Sequence, residues 1–436
     1  MTDLTKAIRR ADDPREAVLS ADPFAVRAAI EEAGGPTAFA RDIEYGGRLN
    51  DIKEVAYYNR RFCDAFEKNV DPADATEQVY RRRAHQLEAE NARLLEWRTI
   101  ISETIQRGHM EFKPQPAPKK ERQSKRDERI AILNIGDVHI GEQIHASETG
   151  GVAQYNWDTF CHRLNELKHR LQSVIDEQRL AYPVNTLILH LLGDIGTSEG
   201  VFDKQLARLD LFLADQITMG SWKMAEFILF AASLFNRVEV RAVAGNHTPK
   251  SITMNSDQMM YMIMALLLSK QRNVNFLISG SHFMGYEISE AQGMCKWPKD
   301  GRTARHLITH GHQAKRHMSI PYYGLERMAQ RYVNMTNIPW DLNFVGHSHE
   351  DASFGRVVVN GCWPGGTEYS TEVMQGASQP SQALLFWHPH RGVTSEHELY
   401  LADRPELKSV DEHGVYTPLE KTMVQLSPEE ARCALN

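Results

Sequence analysis

One pattern limits the folds open to this chain more than any other. Five times between residues 130 and 350, a short apolar run ends in a tight polar turn that carries Asp, Asn or His. Ile132-Leu133-Asn134-Ile135 leads into Gly136-Asp137-Val138-His139-Ile140-Gly141, and Leu187-Ile188-Leu189-His190-Leu191-Leu192 into Gly193-Asp194. Val240-Arg241-Ala242-Val243-Ala244 leads into Gly245-Asn246-His247. His306-Leu307-Ile308-Thr309 is followed by His310-Gly311-His312, and Asn343-Phe344-Val345 by Gly346-His347-Ser348-His349-Glu350. Short apolar runs bounded by glycine read as buried strands. Amphipathic stretches of helical length lie at Trp157–Ile175, around Asp203–Asn236 and at Ser256–Ser269. This alternation predicts an α/β layered domain with helices on the outer faces of the sheet. The last part of the domain is mostly strand, at Leu342–Val345, Gly355–Val359, Gln382–Trp387 and Val393–Tyr400.

Loops at the carboxyl ends of strands in an α/β sheet converge on one crevice. The side chains of Asp137, His139, Asp194, Asn246, His310, His347 and His349 can therefore meet, and their types suit a metal pair. Asp137-x-His139 and His347-x-His349 place two ligands on one side of an extended segment. A carboxylate can bridge two cations, which suits Asp194. Taken singly, each segment has an ordinary reading: Gly-Asp as a turn, His-Gly-His as a surface loop, Asn246-His247 as a local cap. The force lies in five hits in one order, each after an apolar run.

The front of the chain differs in texture. Residues 1–74 read as a helical region, in which Val26–Ile30 and Ala38–Ile43 flank Gly34-Gly35-Pro36. That arrangement suits either a helix-turn-helix or an ordinary small bundle. Over residues 75–109, Tyr80, Leu87, Leu94 and Ile101 recur every seven positions, with Ala84, Asn91, Arg98 and Ile105 four places after each. Such a seam fits a short coiled coil and a homodimer through residues 80–105, with Asn91 selecting two strands; a single amphipathic helix is the alternative. Residues 110–129, with Pro114, Pro116 and Pro118 among lysines and arginines, read as a basic linker. The domain is expected over 130–403, with a polar tail over 404–436.

Composition narrows the class. Hydrophobic residues are 42% and charged residues 25% of 436, ordinary globular values that disfavour disorder. The net charge of −7 means that any nucleic-acid surface must be local. Cys63, Cys161, Cys295, Cys362 and Cys433 are far apart and form no CxxC, against a disulfide framework or zinc knuckle. No apolar segment is long enough to span a bilayer, so a cytoplasmic protein with no membrane partner is expected.

The motif series, D-x-H, G-D, G-N-H, a solitary H and G-H-x-H, resembles that of the calcineurin-like metallophosphoesterase superfamily over about residues 130–362. The resemblance implies a layered β-sandwich flanked by helices and a dinuclear centre. One ion would be held by Asp137, His139, Asp194 and His349, and the second by Asp194, Asn246, His310 and His347. His247 would be the catalytic residue beside them, steadying charge or donating a proton to the leaving oxygen. Mixed N/O ligands suit manganese, iron or zinc better than magnesium, with manganese expected. Asp-x-His-Ile-Gly and Gly-His-x-His-Glu are most similar to the SbcD-type repair exonucleases, which implies DNA as substrate and an ATPase partner. Thr248 stands where those relatives carry an acidic residue, and the heptad region precedes the catalytic segment instead of following it.

Lys315 and Arg316, with Tyr322-Tyr323, follow the fourth motif and could hold flanking phosphates or stack on a base; exposed helix charges are the plainer reading. Trp363-Pro364-Gly365-Gly366 with Tyr369 is either a border of the site or a structural turn. The expected activity is phosphodiester hydrolysis by metal-activated water in DNA. A phosphatase or phosphodiesterase for nucleotides or phosphoproteins, and a DNA-binding assembly protein with a structural metal domain, are the alternatives.

Overall fold

The computed structural model describes residues 3–11, 14, 17–18, 21–43, 72–118, 128–149, 153–201, 205–248, 255–288, 303–315, 322–366, 379–388 and 390–403, with only part of the side chains over 72–96. Arg316, Tyr369, residues 119–127 of the expected linker and the tail over 404–436 lie outside these. Two compact units divide at Arg98 and Thr99.

In the first unit, α1 (Asp3–Arg9), α2 (Pro23–Glu32) and α3 (Pro36–Asp42) share a small core of Ile8, Val18, Val26, Ala29, Ile30, Phe39, Ala40 and Ile43. Asp22 caps α2 by accepting from the Phe24 and Ala25 N–H groups, and proline opens both α2 and α3. The two segments flanking Gly34-Gly35 are thus helices joined by a glycine turn. Helix α4 runs unbroken over Pro72–Glu111. Of its heptad positions, Ala84 and Arg98 are exposed and Ile101 and Ile105 half-buried; the side chains of Tyr80, Leu87, Asn91 and Leu94 lie outside the described set.

The second unit is α/β with two mixed sheets. The first holds β1 (Ile130–Ile135), β2 (Thr186–Leu191), β3 (Arg237–Ala242), β4 (Val274–Ile278), β10 (Ser381–His388) and β11 (Gly392–Tyr400), in the order β11-β10-β1-β2-β3-β4. Strands β1 to β4 are parallel, and β10 returns antiparallel on β1. The second holds β5 (Phe283–Ile288), β6 (Ala304–Thr309), β7 (Leu342–Val345), β8 (Ala352–Phe354) and β9 (Val357–Val359), in the order β5-β6-β7-β9-β8, with β6, β7 and β9 parallel. Every residue of β1, β2 and β10 is buried, whereas edge strand β4 is not, as expected for central and edge positions.

One core joins the sheets. Ile130, Ile132, Ile188, Ala383, Leu385 and Trp387 of the first meet Met284, Tyr286, Ile308, Phe344 and Val358 of the second. Helices α5 (Trp157–Ala181), α6 (Ser221–Leu234) and α7 (Ser256–Leu267) pack against the first sheet, and α8 (Tyr322–Thr336) sets Leu325 and Met328 on Val345, Val357 and Val359 of the second. The helical expectation over Asp203–Asn236 divides into a 3-10 turn at Gln205–Arg208, a π turn at Gln216–Gly220 and α6. The helix is continuous from Leu213 through the π turn into α6, and Gln216 at the start of that turn pins the preceding loop through amide bonds to Ser198 N, Ser198 O and Leu211 O.

The end of α4 and the first linker residues are tied to this unit. Phe112 is buried with its ring 4.8 Å from Trp222, and Arg107 lies over that indole. The Gln271 amide pairs with both Gln115 N and Gln115 O at 2.8 and 2.9 Å, replacing the strand partner that proline-flanked backbone lacks.

Candidate metal centre

Parallel strands in register end together, and that alone brings the loops to one edge. Ile135, Leu191 and Ala242 are successive partners across β1, β2 and β3, and Thr309 partners Val345 across β6 and β7. Asp137, Asp194, Asn246, His310 and His347 each lie one to four residues past those ends.

The backbone there is unusual. Among the described non-glycine residues, seven have positive φ, and five of them are Asp137, His139, Asp194, His347 and His349. Left-handed backbone costs an L residue roughly 1–2 kcal/mol, so five such residues store about 5–10 kcal/mol, comparable to the net stability of a domain. Strain concentrated on the chemistry-bearing residues is the mark of a functional site. The loops also approach closely: Gly193 has φ 90°, and a Cβ on it would meet the Gly245 backbone at 2.5 Å.

Three overlapping groups can hold a metal ion: Asp137, His139 and His349; His139, Asp194 and His247; and Asp194, His310 and His347. Within each, the ligand atoms lie within 4.8 Å of one another. Donors that share an ion at about 2.1 Å stand at most about 4.2 Å apart. His139 Nε2 and His349 Nε2 are 3.3 Å apart, Asp137 Oδ1 and His349 Nε2 3.4 Å, and Asp194 Oδ2 and His310 Nε2 3.1 Å. Asn246 Oδ1 joins this last pair at 2.7 Å from His310 Nε2. Asp137 Oδ1 is buried and faces the His349 ring at 3.4 Å, a carboxylate oxygen that needs a positive charge opposite it. The donor set therefore fits a metal ion.

Backbone donors aim both carboxylates: His347 N donates to Asp137 Oδ2 at 2.7 Å, and His247 N to Asp194 Oδ1 at 2.9 Å. The His310 ring donates from Nδ1 to Leu192 O at 2.8 Å, leaving Nε2 for the site, and the His247 ring does the same to Thr197 O at 3.1 Å. Burial would push Asp137 and Asp194 up, but His349 holds the first below the carboxylate range and His310 and His247 hold the second well below it. Burial likewise pulls His310 down, and the Asp194 charge and hydrogen bond outweigh it, lifting His310 to about 9. His349 is held well above the ordinary histidine range, against burial, by Cys362 and Asp137. Burial and neighbouring positive rings drive His139 well down and His347 to about 3.

Of the expected substrate contacts, Lys315 is exposed, while Tyr322 is exposed with its ring 4.8 Å from Phe354. Trp363 is fully buried, and its backbone N–H donates to Asp137 O at 3.0 Å, so that loop supports the site from behind.

Four side chains lie at the site outside the expected ligand set. Asp257, in the first turn of α7, accepts from Asp194 N, Ile195 N and Gly245 N at 2.8–2.9 Å and clamps the second loop to the third. An acidic residue after an asparagine cap is so common that nothing in the sequence marks it. Burial and the Asp194 charge lift its pKa to about 6. His282 and His312 meet edge-to-face, with centroids 4.4 Å apart, beside His310, and burial with His310 holds His312 down at about 4. Glu142 Oε2 stands 3.8 Å from His139 Nδ1.

No protein-family model matches this chain, and no curated protein matches its sequence. Fold and site together define an α/β protein with clustered His and Asp side chains able to hold metal ions. None of the described helices is long and apolar enough to cross a membrane.

Proposed function

We propose that this chain is a phosphoesterase of the calcineurin-like kind, built as that superfamily's layered sandwich, that uses two divalent ions, with manganese preferred, and acts as a DNA nuclease. One observation carries the reading: seven ligand-type side chains from five loops of two sheets gather in overlapping groups whose ligand atoms lie within 4.8 Å of one another, with Asn246 Oδ1 2.7 Å from His310 Nε2. Asp137, His139, Asp194 and His349 would hold one ion, and Asp194, Asn246, His310 and His347 the other. When bound, such a pair polarises a phosphoryl group and lowers the pKa of water.

The chain's own residues do the rest. Asp137 and Asp194 keep one oxygen on a backbone N–H and so present the other in a set direction. His247, anchored at Nδ1 by Thr197 O, turns Nε2 to within 3.9 Å of Asp194 Oδ2, where it can give a proton to the departing oxygen. A positioned acid of this kind contributes about 10²–10⁴-fold.

DNA is favoured as substrate by the segment that leads away from the fourth loop. Gly324 of α8 packs on the Lys315 backbone, so this helix starts beside that loop. Tyr323, Arg327 and Arg331 are exposed at four-residue spacing, and Lys315, Arg327 and Arg331 have no ion-pair partner among the described residues. The row spans about 12 Å, room for three or four phosphates of one strand at about 3.4 Å each along a duplex. The glycine-joined helices α2 and α3 support a further DNA contact, the heptads over 80–105 a homodimer, the motif flavour an ATPase partner, and the scattered cysteines a cytoplasmic setting.

The test offers the protein, with manganese, linear, nicked and single-stranded DNA beside a chromogenic phosphodiester. Cleavage of DNA is expected. Turnover of the small ester alone sinks the nuclease reading and leaves a phosphodiesterase or phosphatase; ions bound with no turnover at all leaves an assembly protein.

A further inference from the structure

Histidines that bind an ion through one ring nitrogen nearly always anchor the other, which sets the tautomer and the ring direction. Around this centre the anchors are backbone carbonyls: Leu192 O for His310, Thr197 O for His247 and, next to them, Ala244 O for His282. His139 breaks the pattern. Its Nε2 faces His349 Nε2, so its Nδ1 points away from the shared position, and that Nδ1 is buried with no hydrogen-bond partner. The group opposite it is the carboxylate of Glu142, with Oε2 3.8 Å from Nδ1.

Glu142 is not there by chance of a mobile side chain. Its N–H donates to His139 O at 3.0 Å, closing a turn in which Gly141 takes φ 92° and any Cβ on it would strike the Gln216 side chain at 2.5 Å. On the far side Glu142 bridges Leu209, and Gln143 N donates to Arg208 O at 2.9 Å. The backbone of Glu142 is thus held from both directions, and its side chain is mostly enclosed, 23% exposed. Rotation of the carboxylate by about 1 Å brings it to hydrogen-bond length of the ring.

We propose that Glu142 is the positioning residue of His139: its carboxylate accepts the Nδ1 proton, fixes the tautomer whose Nε2 lone pair faces the ion, and makes that ring a stronger ligand for a divalent cation. The proposal rests on the reading of His139 as a ligand. It reaches beyond the motif series, in which Glu142 has no part.

The test measures manganese binding by titration calorimetry on the full chain and its Glu142→Gln and Glu142→Ala variants. Loss of the carboxylate is expected to weaken affinity about 10–100-fold at one ion, with Glu142→Asp recovering part of the loss. Nitrogen-15 spectra of labelled histidine should show His139 protonated at Nδ1 in the parent and shared between both nitrogens in Glu142→Ala, a change that a purely structural role would not produce. Glu142→Gln keeps the volume and guards against a misfolded alanine variant. Unchanged affinity and an unchanged His139 tautomer in both variants would overturn the role of Glu142 while leaving the metal reading intact. A parent protein that binds no divalent ion overturns both.

Discussion

The Nε2 atoms of His139 and His349, 210 positions apart in sequence, face each other at 3.3 Å. Two ring nitrogens in that position repel if both carry lone pairs or both carry protons, so the pair is stable only with one proton or one cation between them. In the metal-free protein the proton sits on His349, which Asp137 and Cys362 hold well above the usual range, while His139 is held well below it.

Ion binding should therefore release protons. His310 titrates at about 9 and is charged at neutral pH without metal. A cation must displace its proton and that of His349, so affinity should rise with pH up to about 9 and fall as the solution is acidified. Calorimetry of manganese binding in buffers of different ionisation enthalpy reads the protons directly. Affinity flat from pH 6 to 9 would refute it. In the metal-free protein the His310–Asp194 contact stabilises fully below about pH 6.5 and is lost as pH climbs through 9, so the melting temperature should decline over that window.

Asp194→Ala should lose metal and activity together, since this residue belongs to two of the three ligand groups. His247→Ala should keep manganese and lose turnover about 10²–10⁴-fold. Retained turnover in that variant, measured with the small ester, would remove the assigned proton donor.

Asp257 touches no substrate, yet Asp257→Ala leaves three buried backbone N–H groups without acceptors. At about 1–3 kcal/mol for each unpaired donor, urea unfolding of the metal-free protein should show a loss of at least about 3 kcal/mol, and metal affinity should fall with it. A variant within about 0.5 kcal/mol of the parent would mean that the second and third loops hold together without the clamp.

Arg327→Glu with Arg331→Glu should weaken DNA binding and reduce its salt dependence by up to about two phosphate contacts, with small-ester turnover unchanged. Equal loss on both substrates would instead mean that α8 supports the fold of the fourth loop.

The sequence by itself determined the strands that matter and the residues they carry. Parallel strands buried on both faces are apolar at most positions, so β1, β2 and β7 stand out as runs despite Asn134, His190 and Asn343 within them, and the Asp and His just past their ends stand out by contrast. Short or edge strands such as β5 and β8, half-exposed and mixed in composition, leave no such trace. Which further residues join Asp137, His139, Asp194, Asn246, His310, His347 and His349 was decided only by the tertiary structure. The positions of Asp257 and Glu142 depend on where a helix start and a returning loop come to rest against other strand ends. The same folding sets the left-handed backbone of Asp137 and His139, the proton on His310 and the pairing of the buried Asp137 oxygen with His349. These are matters of distance and burial between remote segments, and a linear pattern of residue types does not encode them one residue at a time.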